Sequence, residues 1–243
     1  MTKPNRLIMG KNCIAEVLKA SSERIIEVYT CQKPDDSLFK ELKKNKIRVV
    51  EISKKKLTQL VASESHQSYV AAVKEQESLN VKEFLEHSKN LDQSLVLMLD
   101  TIYDPQNLGT ILRAAECFGV DLAVYSKNRG ADITPVASKT SAGATELVPT
   151  CKVSNLAETM KAFQQTGYWA VAADVSEKSQ PLYEFVFPEK TLLIMGSEGK
   201  GIQPILSKKC DFHVFIPMLG KIDSLNVSQA TAVLLNSYRK HYA

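Results

Sequence analysis

The fold is decided by one stretch, Leu95-Val-Leu-Met-Leu-Asp-Thr-Ile-Tyr-Asp-Pro-Gln-Asn-Leu-Gly-Thr-Ile-Leu-Arg113. The unbroken apolar run Leu95–Leu99 reads as a strand buried on both faces, the mark of a parallel sheet. The strand ends at Asp100, a Pro-containing loop follows, and a helix is expected to begin near Asn107 and run over 108–118. A loop at the carboxyl end of such a strand is where α/β proteins bind ligands. Outward from here the same alternation recurs. Strands are expected at 122–125, 169–173, 192–195 and 214–216, and helices at 136–141, 156–166, 202–208 and 228–242. The expected fold is therefore α/β, with a mostly parallel sheet over 95–243.

The chain upstream reads differently. Residues 1–75 suggest a small α/β domain. Its helices are expected over 12–20, 35–46 and 53–61, the last opened by Ser53 as N-cap. Its strands are expected over 25–30, 47–52 and 69–73. Residues 76–94 are polar and read as a linker carrying one helical patch around 81–87. The charge shifts at the same place. Residues 1–80 hold 15 Lys and Arg against 10 Asp and Glu, whereas 81–243 hold 16 against 17. A basic first third beside a neutral remainder suits an RNA or phosphate footprint, or simply a lysine-rich solvated surface.

Several function classes are disfavoured. With 44% apolar and 24% charged residues the composition is that of an ordinary globular chain. No apolar run approaches the roughly 20 residues of a membrane helix, and no apolar stretch follows the N-terminus as a secretory signal requires. Five cysteines without a C-x-x-C pattern speak against a disulfide framework or a thiolate zinc site and fit a reducing cytoplasm. The four histidines are scattered, so no catalytic metal is expected. A G-x-S-x-G elbow is absent as well.

Two further motifs stand out. Leu192-Leu-Ile-Met-Gly-Ser-Glu-Gly-Lys-Gly201 runs a buried strand into a glycine-rich turn with one acid, Glu198. It is neither the dinucleotide fingerprint nor a P-loop. Phe215-Ile-Pro-Met-Leu-Gly-Lys-Ile-Asp-Ser-Leu-Asn-Val-Ser228 runs from a strand to a helix start rich in small polar residues. Each segment has a plain alternative: Asn107 as a helix cap, Arg113 as a surface charge, the glycines as a tight turn. Asn107 and Arg113 lie six residues apart, about 240° around a helix, so they do not share a face.

In this order and spacing, the three motifs resemble the SpoU family of RNA ribose 2′-O-methyltransferases. The first is similar to that family's L-D-x-x-x-D-P-x-N-x-G-x-x-x-R, the second to G-S-E-G-x-G, and the third to I-P-M-x-G-x-x-x-S-L-N-V-S. Lys139-Thr-Ser-Ala-Gly-Ala-Thr-Glu-Leu-Val-Pro149 resembles the RlmB-like subfamily, which methylates a guanosine of large-subunit (23S) ribosomal RNA. Residues 1–75, with Met9-Gly-Lys-Asn and His66-Gln, are similar to that subfamily's small RNA-binding domain. The resemblance implies a SPOUT-type domain with a C-terminal trefoil knot, S-adenosylmethionine as cofactor, a cytoplasmic homodimer, and ribosomal RNA as partner without membrane or metal. It implies Asn107, Arg113, Glu198, Ser224 and Asn226 as catalytic-site residues. Gly196, Ser197, Gly199, Ile216, Met218 and Leu225 would hold the cofactor, largely through backbone.

The chemistry sets its own demands. A ribose hydroxyl must lose its proton as it attacks the sulfonium methyl, and neither a histidine nor a metal is placed to take it. Arg113 could act as base, or bind the target phosphate and stabilise the developing alkoxide. Glu198 could orient Arg113 or Asn107, and Ser224 and Asn226 the ribose or the sulfonium. Methylation of transfer RNA and a non-catalytic RNA-binding module are the competing readings. The intact polar residues of the motifs weigh against the module, and the complete N-terminal domain weighs against transfer RNA.

Overall fold

The computed structural model describes residues 5–76 and 79–242. Residues 1–4 of the expected first domain, and 77 and 78 of the expected linker, lie outside the described residues. In chain order the elements are β1 (Asn5–Met9), α1 (Lys11–Ser21), β2 (Ile25–Thr30), α2 (Ser37–Lys44), β3 (Val49–Glu51), α3 (Lys54–Val61), β4 (Tyr69–Lys74), α4 (Val81–Ser88), β5 (Ser94–Leu99), α5 (Pro105–Cys117), β6 (Leu122–Ser126), α6 (Pro135–Thr140), β7 (Thr150–Val153), α7 (Leu156–Gln165), β8 (Trp169–Ala173), β9 (Gln180–Pro181), β10 (Lys190–Met195), α8 (Pro204–Ser207), β11 (Phe212–Phe215) and α9 (Val227–His241). They divide into two compact units: 5–76 with 132–147, and 79–131 with 148–242.

The first unit is built on a four-stranded sheet in the order β1-β4-β2-β3. β4 runs antiparallel to both neighbours, and β2 pairs in parallel with β3. Ile14, Val17 and Leu18 of α1, spaced to share a helix face, pack with Leu38 and Leu42 of α2 over Ile8, Val28 and Tyr69. The caps follow the local sequence. Asp36 accepts from the N–H groups of Leu38 and Phe39, and Ser53 accepts from that of Lys56. β1 was not expected from the sequence. It places Met9 and Ile8 in the core, and its partner β4 is buried along almost its whole length.

Residues 132–147 differ from expectation: read in sequence as part of 95–243, they pack with the first unit. The reason is a buried ion cluster. Glu146 is fully buried, and its two carboxylate oxygens meet Arg6 of β1 and Arg24, which follows α1, the latter at 2.6 Å. Arg24 also donates to the Glu146 carbonyl at 3.1 Å. Gly143 sits with φ +99 where a Cβ would come 3.1 Å from the Cys13 carbonyl, so only glycine allows that approach.

The second unit carries a seven-stranded sheet in the order β7-β6-β5-β10-β8-β11-β9, with every described pairing parallel. β5 and β6 are buried at every position. α4 and α7 contribute Phe84, Leu85, Met160 and Phe163 to one core cluster. β7 and β9 were not expected; both are short strands near or at the sheet edges, with little periodicity to read. No described helix is long and apolar enough to cross a membrane.

Candidate active site

β5 and β10 are parallel neighbours whose last residues, Leu99 and Met195, are paired in register. The loops that follow therefore leave the sheet side by side. A fully buried carboxylate, Asp100, joins them by accepting from the Gln203 amide N–H at 2.7 Å and from its Nε2 at 2.6 Å.

Each motif places one side chain here through its own local structure. Asp104 caps α5 and Pro105 fills the first turn, where a missing N–H costs nothing. Asn107 is thus one turn inside the helix rather than its cap, and its amide is free for other partners. Gly196 turns the chain after β10. A Cβ there would lie 2.2 Å from the Gly201 carbonyl carbon, because Ser197 and Gly201 form a tight bridge. Its glycine requirement is set by the loop's own backbone, where the sequence reading assigned it to contact with cofactor. Asn226 caps α9, its Oδ1 accepting from the Ser228 N–H at 2.9 Å and leaving Nδ2 outward.

The three side chains meet. Asn107 Nδ2 donates to Glu198 Oε1 at 3.2 Å, and Asn226 Nδ2 donates to the same oxygen at 2.5 Å and to Asn107 Oδ1 at 3.1 Å. One carboxylate oxygen thereby orients two carboxamides that lie 119 residues apart in sequence. Beside the cluster is a cleft of about 210 Å³ lined by Ile102, Tyr103, Asn107, Ser197, Glu198 and Val227, among others. Tyr103 is 65% exposed at its mouth and was not singled out by sequence.

The remaining expected site residues are not joined to the cluster. Arg113 is exposed on α5 and makes no hydrogen bond or ion pair among the described residues. Ser224 is exposed and donates to Asp223 at 3.2 Å. Ile216 and Met218 are half-buried after β11, Leu225 is partly exposed, and Gly199 is in the left-handed region with open space around it. Asp100 and Gln203 were missed. The available signal was a carboxylate placed directly after an apolar strand. Among the described residues no group of three or more His, Cys, Asp or Glu is arranged to hold a metal.

The model of the SpoU rRNA methylase family matches residues 94–236, and that of the RNA 2′-O ribose methyltransferase substrate-binding domain matches 7–79. The chain belongs to the SpoU rRNA methylase family. Among its relatives, the 23S rRNA (guanosine-2′-O-)-methyltransferase RlmB of Vibrio cholerae is 35% identical, over 95% of each chain. A TrmH-family protein of Staphylococcus epidermidis, named for tRNA or rRNA methylation without a choice between them, is 33% identical over 97% of this chain and 96% of its own. The solved SpoU methyltransferase AviRb of Streptomyces viridochromogenes, a complex with AdoMet, superposes with a TM-score of 0.80 at 23% identity, covering 98% of this chain and 91% of its own. The two matched family models together reach from residue 7 to residue 236.

Proposed function

We propose that this SpoU protein transfers a methyl group from S-adenosylmethionine to the ribose 2′-hydroxyl of a guanosine in large-subunit ribosomal RNA. The observation that carries the reading is the meeting of Asn107, Glu198 and Asn226, one from each family motif, beside a cleft that Asn107 and Glu198 line.

The residues present suit the cofactor. Gly199 and Gly201 have positive φ and nothing within 4 Å of a would-be Cβ, so a ligand can come close to their backbone, with the Gly201 N–H already donated to the Ser197 carbonyl at 2.9 Å. Ile216, Met218 and the partly exposed Leu225 offer apolar contact for a purine. When bound, S-adenosylmethionine supplies the electrophilic methyl group. Glu198 holds the Asn107 and Asn226 carboxamides in place, so their dipoles need no reorganisation during reaction. Ser224, exposed and bonded only to its neighbour Asp223, turns to meet the ribose. Arg113, an unpaired exposed cation, binds the target phosphate and stabilises the developing 2′-alkoxide. A guanidinium, which offers a planar fork of donors and no acceptor, suits that role better than general base.

The protein is read here as a cytoplasmic homodimer with the trefoil knot of its family. Leu219 and Ile222, wholly or largely exposed beside the candidate cofactor loop, support a subunit interface at this site. The basic first unit would supply RNA affinity.

The test is Arg113→Ala and Arg113→Lys in single-turnover methyl transfer to unmodified ribosomal RNA. Alanine is expected to abolish or nearly abolish transfer with cofactor affinity unchanged. Substantial rescue by lysine supports charge stabilisation, and no rescue supports a role specific to the guanidinium fork. Near-normal transfer by Arg113→Ala would contradict the assignment.

A further inference from the structure

A second cleft opens on the other flank of the same loops. It measures about 310 Å³ and is lined by residues that include Asp100, Ser126, Arg129, Asn155, Ile205 and Gln203. None of these belongs to the cluster described above. We propose that this cleft is an RNA subsite that seats a phosphodiester of the strand next to the methylated nucleotide, with Arg129 as its cationic contact; the proposal rests on the RNA-methylating function.

The arrangement of donors points to an anion. Arg129 Nη1 donates to Gln203 Oε1 at 3.1 Å, while Gln203 is held by the buried Asp100. The backbone N–H groups of Arg129 and Asn128 both donate to Ser126 Oγ, at 3.1 and 3.2 Å. The exposed guanidinium is therefore oriented from both ends, with four of its five N–H donors uncommitted. Ser126 has its acceptor capacity used and its O–H left to donate. Asn155 spends Oδ1 capping α7, which leaves Nδ2. The one carboxylate, Asp100, is fully buried and already receives two hydrogen bonds from Gln203. What remains is a set of donors around one cation, which is complementary to phosphate oxygens. Ile205, 60% exposed on the rim, adds an apolar surface that a ribose or base could cover.

The position argues for the strand that carries the target. Asp100 borders this cleft and Thr101 the catalytic one, and the 197–203 loop likewise serves both. The Arg129 loop is tied across by the Ala131 N–H donating to the Ile102 carbonyl at 2.6 Å. Gly130 allows this approach, since a Cβ would meet that carbonyl at 3.1 Å. β6, which feeds the Arg129 loop, is the immediate neighbour of β5, and adjacent strands lie about 5 Å apart. An RNA strand at the catalytic cleft therefore passes within reach of Arg129.

The experiment measures binding of a labelled large-subunit rRNA transcript, one that the wild-type protein methylates, as a function of salt. Arg129→Ala is expected to weaken binding several-fold and to lower the slope of log K against log salt by about 0.7–0.9, the loss of one phosphate contact. S-adenosylmethionine affinity should stay within twofold. Arg129→Lys should keep the slope. Lys89→Ala, which removes a charge paired with Glu86 at 2.6 Å near the start of β10, at the other end of the strands from Arg129, should match wild type. Methylphosphonate substitution at one linkage flanking the target should weaken wild type and leave Arg129→Ala unaffected. An unchanged slope in Arg129→Ala, an equal loss in Lys89→Ala, or an Arg129 effect that persists at every methylphosphonate position would overturn the subsite. If wild type methylated no RNA, the functional reading itself would fail instead.

Discussion

Replacing Glu146 by alanine should destabilise the first unit severely. The Glu146 side chain is 0% exposed, and those of Arg6 and Arg24 are only 17% and 14% exposed. The carboxylate also accepts from Thr145 Oγ1 at 3.2 Å. Its removal leaves two nearly buried guanidiniums facing each other without a counter-charge, while the buried Arg6 Nε already lacks a partner. Breaking a buried pair in this way costs about 3–5 kcal/mol, because the uncompensated charge must stay desolvated or pull the structure open. Since Arg6 and Arg24 share one anion, the upper half of that range is expected. For a unit of this size, each kcal/mol lowers Tm by roughly 4–8 °C, so the first unit should melt well before the second. Calorimetry and urea denaturation followed by far-UV circular dichroism should both show a split transition. A companion variant with Arg6→Met, Glu146→Leu and Arg24→Met should recover most of the loss, because it removes all three charges together. If Glu146→Ala cost less than about 1 kcal/mol, or left a single unsplit transition, the ion cluster would not be what joins 132–147 to this unit.

Two further perturbations follow from the geometry. Gly196→Ala drives a Cβ to 2.2 Å from the Gly201 backbone, so calorimetry should show weakened S-adenosylmethionine binding together with a lower Tm of the second unit; a folded variant with unchanged values would contradict it. At Asp36, burial raises the carboxyl pKa, but hydrogen bonds from Lys11, Tyr69 and the Phe39 N–H outweigh it and bring it down to about 2. A depressed folded pKa gives stability that is complete above the unfolded value near 4 and lost as the pH falls toward 2. Asp36→Asn should therefore flatten the acid limb of the first unit's stability between pH 4 and 2, and an unaltered limb would refute the pairing.

What could be read from the sequence is what local chemistry dictates. Ser53 caps α3 as its residue type suggests, and the apolar runs become the central strands β8, with its bounds as expected, and β5 and β10, which start one and two residues earlier. α5 starts at Pro105, three residues before the expected first helical residue Leu108, because Asp104 and Pro105 provide the cap and the first turn. The motifs named Asn107, Glu198 and Asn226 as polar site candidates, yet no spacing rule places a helix residue, a loop acid and a helix cap on one oxygen. That meeting depends on the register of β5 against β10 and on the entry of α9. Likewise nothing local marks Glu146 as a buried anion: its partners, Arg6 and Arg24, lie more than 120 residues away. That position 196 must be glycine for the loop's own sake is not legible either, because only the folded loop reveals Gly201 behind it.

The central claim is that the converged cleft methylates a ribose oxygen of ribosomal RNA. The most direct measurement supplies purified protein with methyl-tritiated S-adenosylmethionine and with unmodified 23S rRNA or bulk tRNA as separate substrates, then digests the labelled RNA. The account predicts label in the 23S rRNA alone, recovered as a single 2′-O-methylguanosine whose 3′ linkage resists alkaline hydrolysis. Label on a base, label in tRNA alone, or no transfer to either RNA would contradict it.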